Sequence, residues 1–327
     1  MNFRSRLIAL ACLACLTFGM SVSSSVFAQD YPNKPVRVIV PWPPGGGTDV
    51  IGRLIAARLS TRLSQTFVVD NRAGAASNIG MAAVAGAAPD GYTLGLATSN
   101  LAINPALMST MPFDPLKDLA PVALVAKGTY AMAVNPGVPA QNVQQLLALV
   151  RQAPDKFNAS TAGVGSPGHL AAAQLNALAG VNVTPVHYKG GAPAMNAAVG
   201  GETQIMFSSY TTMAPLVQAG KLRLLAVTGP KRSRALPDTP TVVESGLPGF
   251  VFEEWYALFA PAKTPRAVID RLNAEVRAIL AEPEVAERVL SLGAEVQPGT
   301  PEVLGAMLAS ESTRLGKLVR DAGIKAE

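Results

Sequence analysis

Three consecutive glycines stand in Pro41-Trp-Pro-Pro-Gly-Gly-Gly-Thr-Asp49, between the apolar run Val36-Arg-Val-Ile-Val40 and the helically spaced Val50, Ile51, Leu54, Ile55 and Leu59. Glycines let a backbone approach a ligand closely, and the free N–H groups of a helix's first turn attract an anion. The chemistry on offer is therefore anion binding, with Thr48 or Asp49 expected to cap the helix. A β-branched side chain at Gly46 is expected to block that approach and restrict the backbone. The other reading of the same residues is a glycine-rich strand-to-helix turn with no ligand.

Further loops share this character: Gly74-Ala-Ala-Ser-Asn-Ile-Gly80, Thr98-Ser-Asn100, Ser160-Thr-Ala-Gly-Val-Gly165 and Tyr188-Lys-Gly-Gly-Ala192. They offer hydroxyls, amides and bare backbone, groups that hydrogen-bond a small polar ligand while helix dipoles favour negative charge. Any one of them is also ordinary turn chemistry; their recurrence after successive apolar runs points to a shared site.

Catalytic patterns fit less well. Only His169 and His187 could act as imidazole bases, and no Gly-x-Ser-x-Gly elbow surrounds a serine. Two histidines eighteen positions apart make no convincing metal set. Lys189 leaves a serine–lysine hydrolase or lyase open in principle, although an anion contact suits a glycine loop better. Gly163-Val-Gly165-Ser-Pro-Gly168 matches a dinucleotide fingerprint, but Pro167 interrupts it and the first acidic residue beyond is Glu202, too distant to hold a ribose. No cofactor is expected. The basic cluster Lys231-Arg232-Ser233-Arg234 is flanked by prolines rather than aromatics, so it reads as a solvated loop and not as a nucleic-acid site.

The elements that must carry these loops alternate. Strand-like runs fall at 36–40, 67–69, 92–97, 122–125, 130–134, 182–186, 203–207, 222–227 and 251–259, with a further short run at 157–160. Helical patterns fall at 49–63, 79–87, 143–152, 169–178, 211–219, 265–281, 283–290 and 301–322. Such alternation predicts α/β architecture with parallel sheets and ligand loops at the carboxyl ends of strands. No repeat of fixed period is present.

The amino terminus indicates the compartment. Arg4 and Arg6 precede an apolar run from Leu7 to Met20, and a serine-rich stretch ends in Val26-Phe27-Ala28. Residues 1–28 read as a secretory signal peptide cleaved before Gln29. The apolar run is short for a membrane anchor and contains Thr17 and Gly19, and neither cysteine has leucine three positions before it, as a lipidation box wants. Cleavage removes Cys12 and Cys15 and leaves a thiol-free chain that must stand on its core. It also leaves 25 basic residues against 22 acidic ones, a net of +3. The roughly 299 remaining residues suffice for two domains.

Seven ordered motifs carry a resemblance over nearly the whole mature chain: Tyr31-Pro-Asn-Lys-Pro35, the Gly-Gly-Gly-Thr-Asp49 loop, Val69-Asp-Asn-Arg-Ala-Gly74, Asn78-Ile-Gly80, Ala88-Pro-Asp-Gly-Tyr92, Val186-His-Tyr-Lys-Gly190 and Leu225-Ala-Val-Thr228. Together they resemble the substrate-binding proteins of tripartite tricarboxylate transporters, the Bordetella-uptake type of periplasmic receptor. The resemblance implies a two-lobed type II periplasmic-binding-protein-like fold whose interlobe cleft holds a small carboxylate, often through backbone amides and ordered waters. It implies lobe one at 29–130 plus 250–327 and lobe two at 131–249, with membrane transporter subunits as partners. A sensor kinase fed by the same closing cleft is the alternative partner.

Site residues follow from the same likeness. Pro43, Gly45, Gly46, Gly47, Thr48, Asp49 and Asn78 would contact the ligand from lobe one, with Thr98 and Ser99 nearby. Thr161, Gly163, His169, Tyr188, Gly190, Ala192 and Ser208 would do so from lobe two. His169, at an expected helix start, could orient its loop or remain a satisfied neutral imidazole, and the Tyr188 ring could simply pack. Relatives often carry an acid where this chain reads Phe207-Ser208-Ser209; a serine there cannot pair with an ammonium group, which favours a simple organic acid unless another acidic residue compensates.

Overall fold

The computed structural model describes residues 31–324. Strand β1 (Val36–Val40) pairs in parallel with β2 (Phe67–Asn71) and β3 (Thr93–Ala97). These join β4 (Leu119–Gly128), β10 (Glu254–Pro261) and β11 (Ala294–Val296) in a six-stranded sheet of order β11-β4-β10-β3-β1-β2. The other sheet contains β5 (Tyr130–Val134), β6 (Asn158–Thr161), β7 (Thr184–His187), β8 (Ile205–Ser209) and β9 (Arg223–Val227), in the order β7-β6-β8-β5-β9.

The expectation of purely parallel sheets is corrected. β10 runs antiparallel to β3 and β4, and β5 runs antiparallel to β8 and β9. These are the strands through which the chain leaves one sheet and returns from the other, so their direction is set by the crossing rather than by a βαβ unit. Only Thr129 separates β4 from β5. On the return path, Thr228 Oγ1 donates to the carbonyls of Tyr130 (2.9 Å) and Phe252 (2.6 Å), binding the two crossings side by side.

Helix α1 (Gly47–Leu63) follows β1, α2 (Asn78–Ala85) precedes β3, and α3 (Asn100–Leu107) follows it. Around the second sheet lie α4 (Val143–Gln152), α5 (Pro167–Ala179), α6 (Gly191–Gly200) and α7 (Tyr210–Gln218); α8 (Arg266–Leu280), α9 (Pro283–Ser291) and α10 (Pro301–Asp321) complete the fold. Helix α3 carries Pro105 and buries Leu101, Ala102 and Ile103 in succession, so it lacks the one-sided pattern that reveals a helix. Helix α6 begins Gly-Ala-Pro and is built of small residues, which hides it in the same way. Strand β11 has only three residues.

Helix α1 starts earlier than expected, at Gly47, with Gly46 as its cap and neither Thr48 nor Asp49 capping it. Helix α2 follows a turn in which Gly74, Ala75, Ala76 and Ser77 all have positive φ (132°, 47°, 50° and 82°). Buried apolar residues on both faces of each sheet form the core, with Trp255, Phe207, Phe250, Phe252 and Phe259 among the largest fully buried side chains.

Candidate functional site

A cavity of about 650 Å³ opens where the two sheets' helices face each other. Its wall includes residues at five helix starts: Gly46, Gly47 and Thr48 at α1, Asn100 at α3, Pro167 at α5, Gly191 and Ala192 at α6, and Ser209, Thr211 and Thr212 at α7. The first-turn N–H groups of a helix have no partner within it, and the aligned peptide dipoles make that end positive. Helices from both sheets therefore direct positive ends at one space. Among the described residues the lining contains no lysine or arginine.

The glycine loop before α1 is held in a fixed conformation. Gly45 has φ +87°, a left-handed conformation that glycine adopts without strain, and its N–H donates to Asp49 Oδ2 at 2.9 Å. The same carboxylate accepts from Arg53 Nε (3.0 Å) and Asn71 Nδ2 (2.9 Å). Burial would raise the Asp49 pKa, but the hydrogen bonds from Arg53, Gly45 and Asn71 outweigh it and hold the carboxyl below its ordinary value. Asp49 is thus a clasp that fixes the loop and does not line the cavity. Gly46 has φ −78° and ψ 167°, open to any residue, and a Cβ there would meet nothing closer than Pro43 O at 3.9 Å. The expected backbone restriction belongs to Gly45 rather than Gly46.

Of the residues singled out from sequence, Pro43, Gly46, Gly47, Thr48, Ala192 and Ser208 line the cavity. The others are not among its lining residues. Asn78 is buried and accepts from Asn104 Nδ2 at 2.9 Å. Thr98 and Ser99 are buried next to Asn100, their hydroxyl oxygens without a hydrogen-bond partner. Thr161 Oγ1 lies 2.7 Å from His187 Nδ1, and Gly163 (φ +130°) and Gly190 (φ +110°) shape the turns before α5 and α6. The Tyr188 hydroxyl donates to Glu202 Oε1 at 2.6 Å, an acceptor that pushes its pKa up to about 12.

The His169 ring has features of both readings. Its Nδ1 accepts the Gly165 N–H at 3.0 Å, and its ring centroid lies 4.6 Å from that of His187. Burial, with the neighbouring His187, lowers its pKa to about 4, so the imidazole is neutral at ordinary pH and orients the loop. The basic cluster is tied down: Arg232 pairs with Glu244 at 2.9 Å, and the Arg234 N–H donates to Glu295 at 2.8 Å.

Sequence reasoning missed the cavity's floor, formed by Tyr130 of β5 and by Glu254 and Tyr256 of β10. The Tyr130 hydroxyl donates to the Phe207 carbonyl at 3.2 Å, and the Tyr256 hydroxyl donates to Glu254 Oε2 at 3.3 Å. Burial pushes the Glu254 carboxyl up to about 7, against the opposing effect of the Tyr256 and Ser209 hydroxyls. The signal was two adjacent acids, Glu253 and Glu254, at the start of an apolar strand; alternation sends one to each face, where Glu253 meets Lys127 at 2.6 Å. The cavity therefore holds a carboxyl despite the serines at 208 and 209, which removes that argument for a simple organic acid.

The two sides touch around the cavity. Thr211 Oγ1 of α7 donates to the Leu292 carbonyl, and a Cβ on Gly47 would lie 3.7 Å from Thr211 Cγ2. Leu107 at the end of α3 packs against Gly165, where a Cβ would fall 2.1 Å from Leu107 Cδ1.

Comparison with known proteins places this geometry. A protein-family model described as the tripartite tricarboxylate transporter family receptor matches residues 51–324. Rpa4515 of R. palustris, solved with adipate, is 34% identical with a TM-score of 0.84, over 91% of this chain and 100% of that one. The periplasmic binding protein BugD is 35% identical with a TM-score of 0.79, over 90% and 100%. MatC of Rhodopseudomonas palustris, with bound malate, is 33% identical with a TM-score of 0.77, over 88% and 100%. The fold is the two-lobed one of periplasmic binding proteins, and the chain belongs to the tripartite tricarboxylate transporter family of receptors.

Proposed function

We propose that this protein is an exported solute receptor that binds a small carboxylate between its lobes and delivers it to the membrane components of a tripartite transporter. The observation that carries the reading is the convergence of helix starts from both sheets on a cavity whose lining has no lysine or arginine among the described residues. Such a site holds an anion by fixed backbone donors and needs no side-chain cation. Similar proteins solved with adipate and malate support a small organic acid as the ligand. Pro43, Gly46, Gly47 and Thr48 would meet it from lobe one, and Ala192 and Ser208 from lobe two.

Lobe one comprises residues 29–130 and 250–327 in this reading, and lobe two residues 131–249. The paired crossings at Thr129 and Thr228 would act as the hinge, closing the lobes over the ligand. Residues 1–28, all of which lie outside the described residues along with both cysteines, would be a signal peptide removed before Gln29. Amino-terminal sequencing of exported protein should read from that position.

The test is a panel of mono-, di- and tricarboxylates assayed by thermal shift and small-angle scattering, beside mass spectrometry of small molecules released from denatured native protein. A binding acid should raise the melting temperature and shrink the radius of gyration. A panel that moves neither, with no acid released from native protein, rejects the reading.

A further inference from the structure

The helix starts account for one anionic end of a ligand, but they leave one group in the cavity unexplained. Glu254 is its only carboxyl among the described residues. It opens β10 opposite Gly128 at the end of β4, where the chain crosses between sheets, and so lies on the cavity floor. Tyr256, two residues along and on the same strand face, reaches its Oε2 at 3.3 Å, and the Ser209 hydroxyl lies beside it. Among the described residues no basic side chain pairs with it. The nearest along the strands, Lys127, is taken by Glu253 at 2.6 Å. A half-buried carboxyl with hydroxyl neighbours and no cation is an acceptor for a donor that the protein does not itself supply.

We propose that Glu254, with Ser209 and Tyr256, forms a second polar subsite that accepts a hydrogen bond from a hydroxyl or ammonium group of the ligand. The preferred ligand class is then a carboxylate carrying such a donor, in preference to a plain dicarboxylate dianion. The proposal rests on the carboxylate-receptor reading and adds the chemistry of the ligand's other end. A second ligand carboxylate at this subsite would face a like charge unless one of the pair took up a proton.

The facing groups make Glu254 the one that titrates there. Burial holds the Tyr130 and Tyr256 hydroxyls well above their ordinary pKa, so both stay neutral, and Ser209, Thr211 and Thr212 of the α7 start carry no charge. From the neighbouring strands, Lys127 and Glu253 neutralise each other, and Glu295 of β11 accepts from the Ser233 hydroxyl and the Arg234 N–H. With the Glu254 carboxyl pushed up to about 7, discrimination against dianions is strongest above neutrality and fades on acidification.

The test is calorimetry on the full mature protein at about pH 8.5, where that carboxyl is ionised. Succinate and adipate are each compared with analogues whose second carboxylate is replaced by a hydroxymethyl or an aminomethyl group. Wild type should prefer a donor-terminated acid over its dicarboxylate by roughly tenfold or more, as a charge-assisted hydrogen bond allows. Glu254→Gln should lose that preference and gain dicarboxylate affinity, whereas Glu254→Asp, which keeps the charge, should retain it. Melting curves identify a variant that fails to fold, and the wild-type preference and its loss near pH 5.5 then decide alone. Wild type that binds dicarboxylates as tightly as the analogues at both pH values overturns the subsite and leaves the receptor reading standing. Wild type that binds none of these acids removes both.

Discussion

Replacing Glu254 with glutamine should stabilise the ligand-free protein, and the gain should depend on pH. The carboxyl has an ordinary value of 4.5 and is pushed up to about 7 by burial in the cavity floor. Below about pH 4.5 it is neutral in both folded and unfolded chains and costs nothing. As pH rises from there to about 7 the unfolded chain ionises first, so folding stability falls, and above about 7 the loss is complete. The whole move would correspond to about 3 kcal/mol. Partial exposure of the side chain to the cavity reduces this to about 2 kcal/mol. Glutamine keeps the shape and can still accept the Tyr256 hydroxyl, but never acquires the charge. Urea unfolding of both proteins at pH 4.5, 6 and 8.5 should therefore show a difference that opens with pH and levels off above about 7. Comparing the two proteins at each pH cancels the other titrating groups. A difference that stays constant from pH 4.5 to 8.5 would refute the argument, because the Glu254 carboxyl would then ionise alike in folded and unfolded chains.

Three further substitutions probe the geometry around the cavity. Gly165→Ala places a Cβ 2.1 Å from Leu107 Cδ1 across the two sides and at φ +69°, so it should cost about 1–3 kcal/mol and hold the lobes apart. Weaker ligand binding and a larger radius of gyration with ligand are the expected readings, and unchanged closure contradicts the contact. Gly45→Ala forces a side chain into φ +87° and should cost about 1–2 kcal/mol, while Gly46→Ala, at φ −78°, should leave the melting temperature unchanged. The reverse order would mean that the loop's left-handed residue is misplaced.

Legibility in the sequence followed local physics. The strand, glycine loop and helix at 36–63 were readable because the glycine run, the preceding apolar strand and the following helical spacing lie within thirty residues of one another, and all three are local signals. Of the six cavity-lining residues singled out, Pro43 and Gly46 sit in a glycine-rich loop, Gly47, Thr48 and Ala192 in the first turns of α1 and α6, and Ser208 next to the last residue of β8. Asn78, Thr161 and His169, which are not among the cavity's lining residues, have the same residue types in the same kind of loop as those that are; only side-chain direction separates the two groups, and sequence carries no such direction. Tyr130, Glu254 and Tyr256 were hidden for another reason. They lie on crossing strands more than a hundred positions apart, and their meeting depends on the antiparallel pairing of β10 with β4, which the local pattern of alternation did not announce. Helices α3 and α6 were missed because one buries Leu101, Ala102 and Ile103 in succession and the other consists mostly of small residues.

The five helix starts around the cavity have an evolutionary consequence. An anion held by arginine can be lost by a single codon change, whereas peptide N–H groups belong to every residue except proline and survive substitution of the side chains that bear them. In the proposed carboxylate receptor, side chains projecting from the same walls, at Met195, Asn196 and Thr212 for example, would then be free to vary in size and polarity without dismantling the grip on the anion. Affinity for the charge and choice of the remainder of the molecule become separable traits, the first written in the path of the backbone and the second in a handful of exchangeable residues.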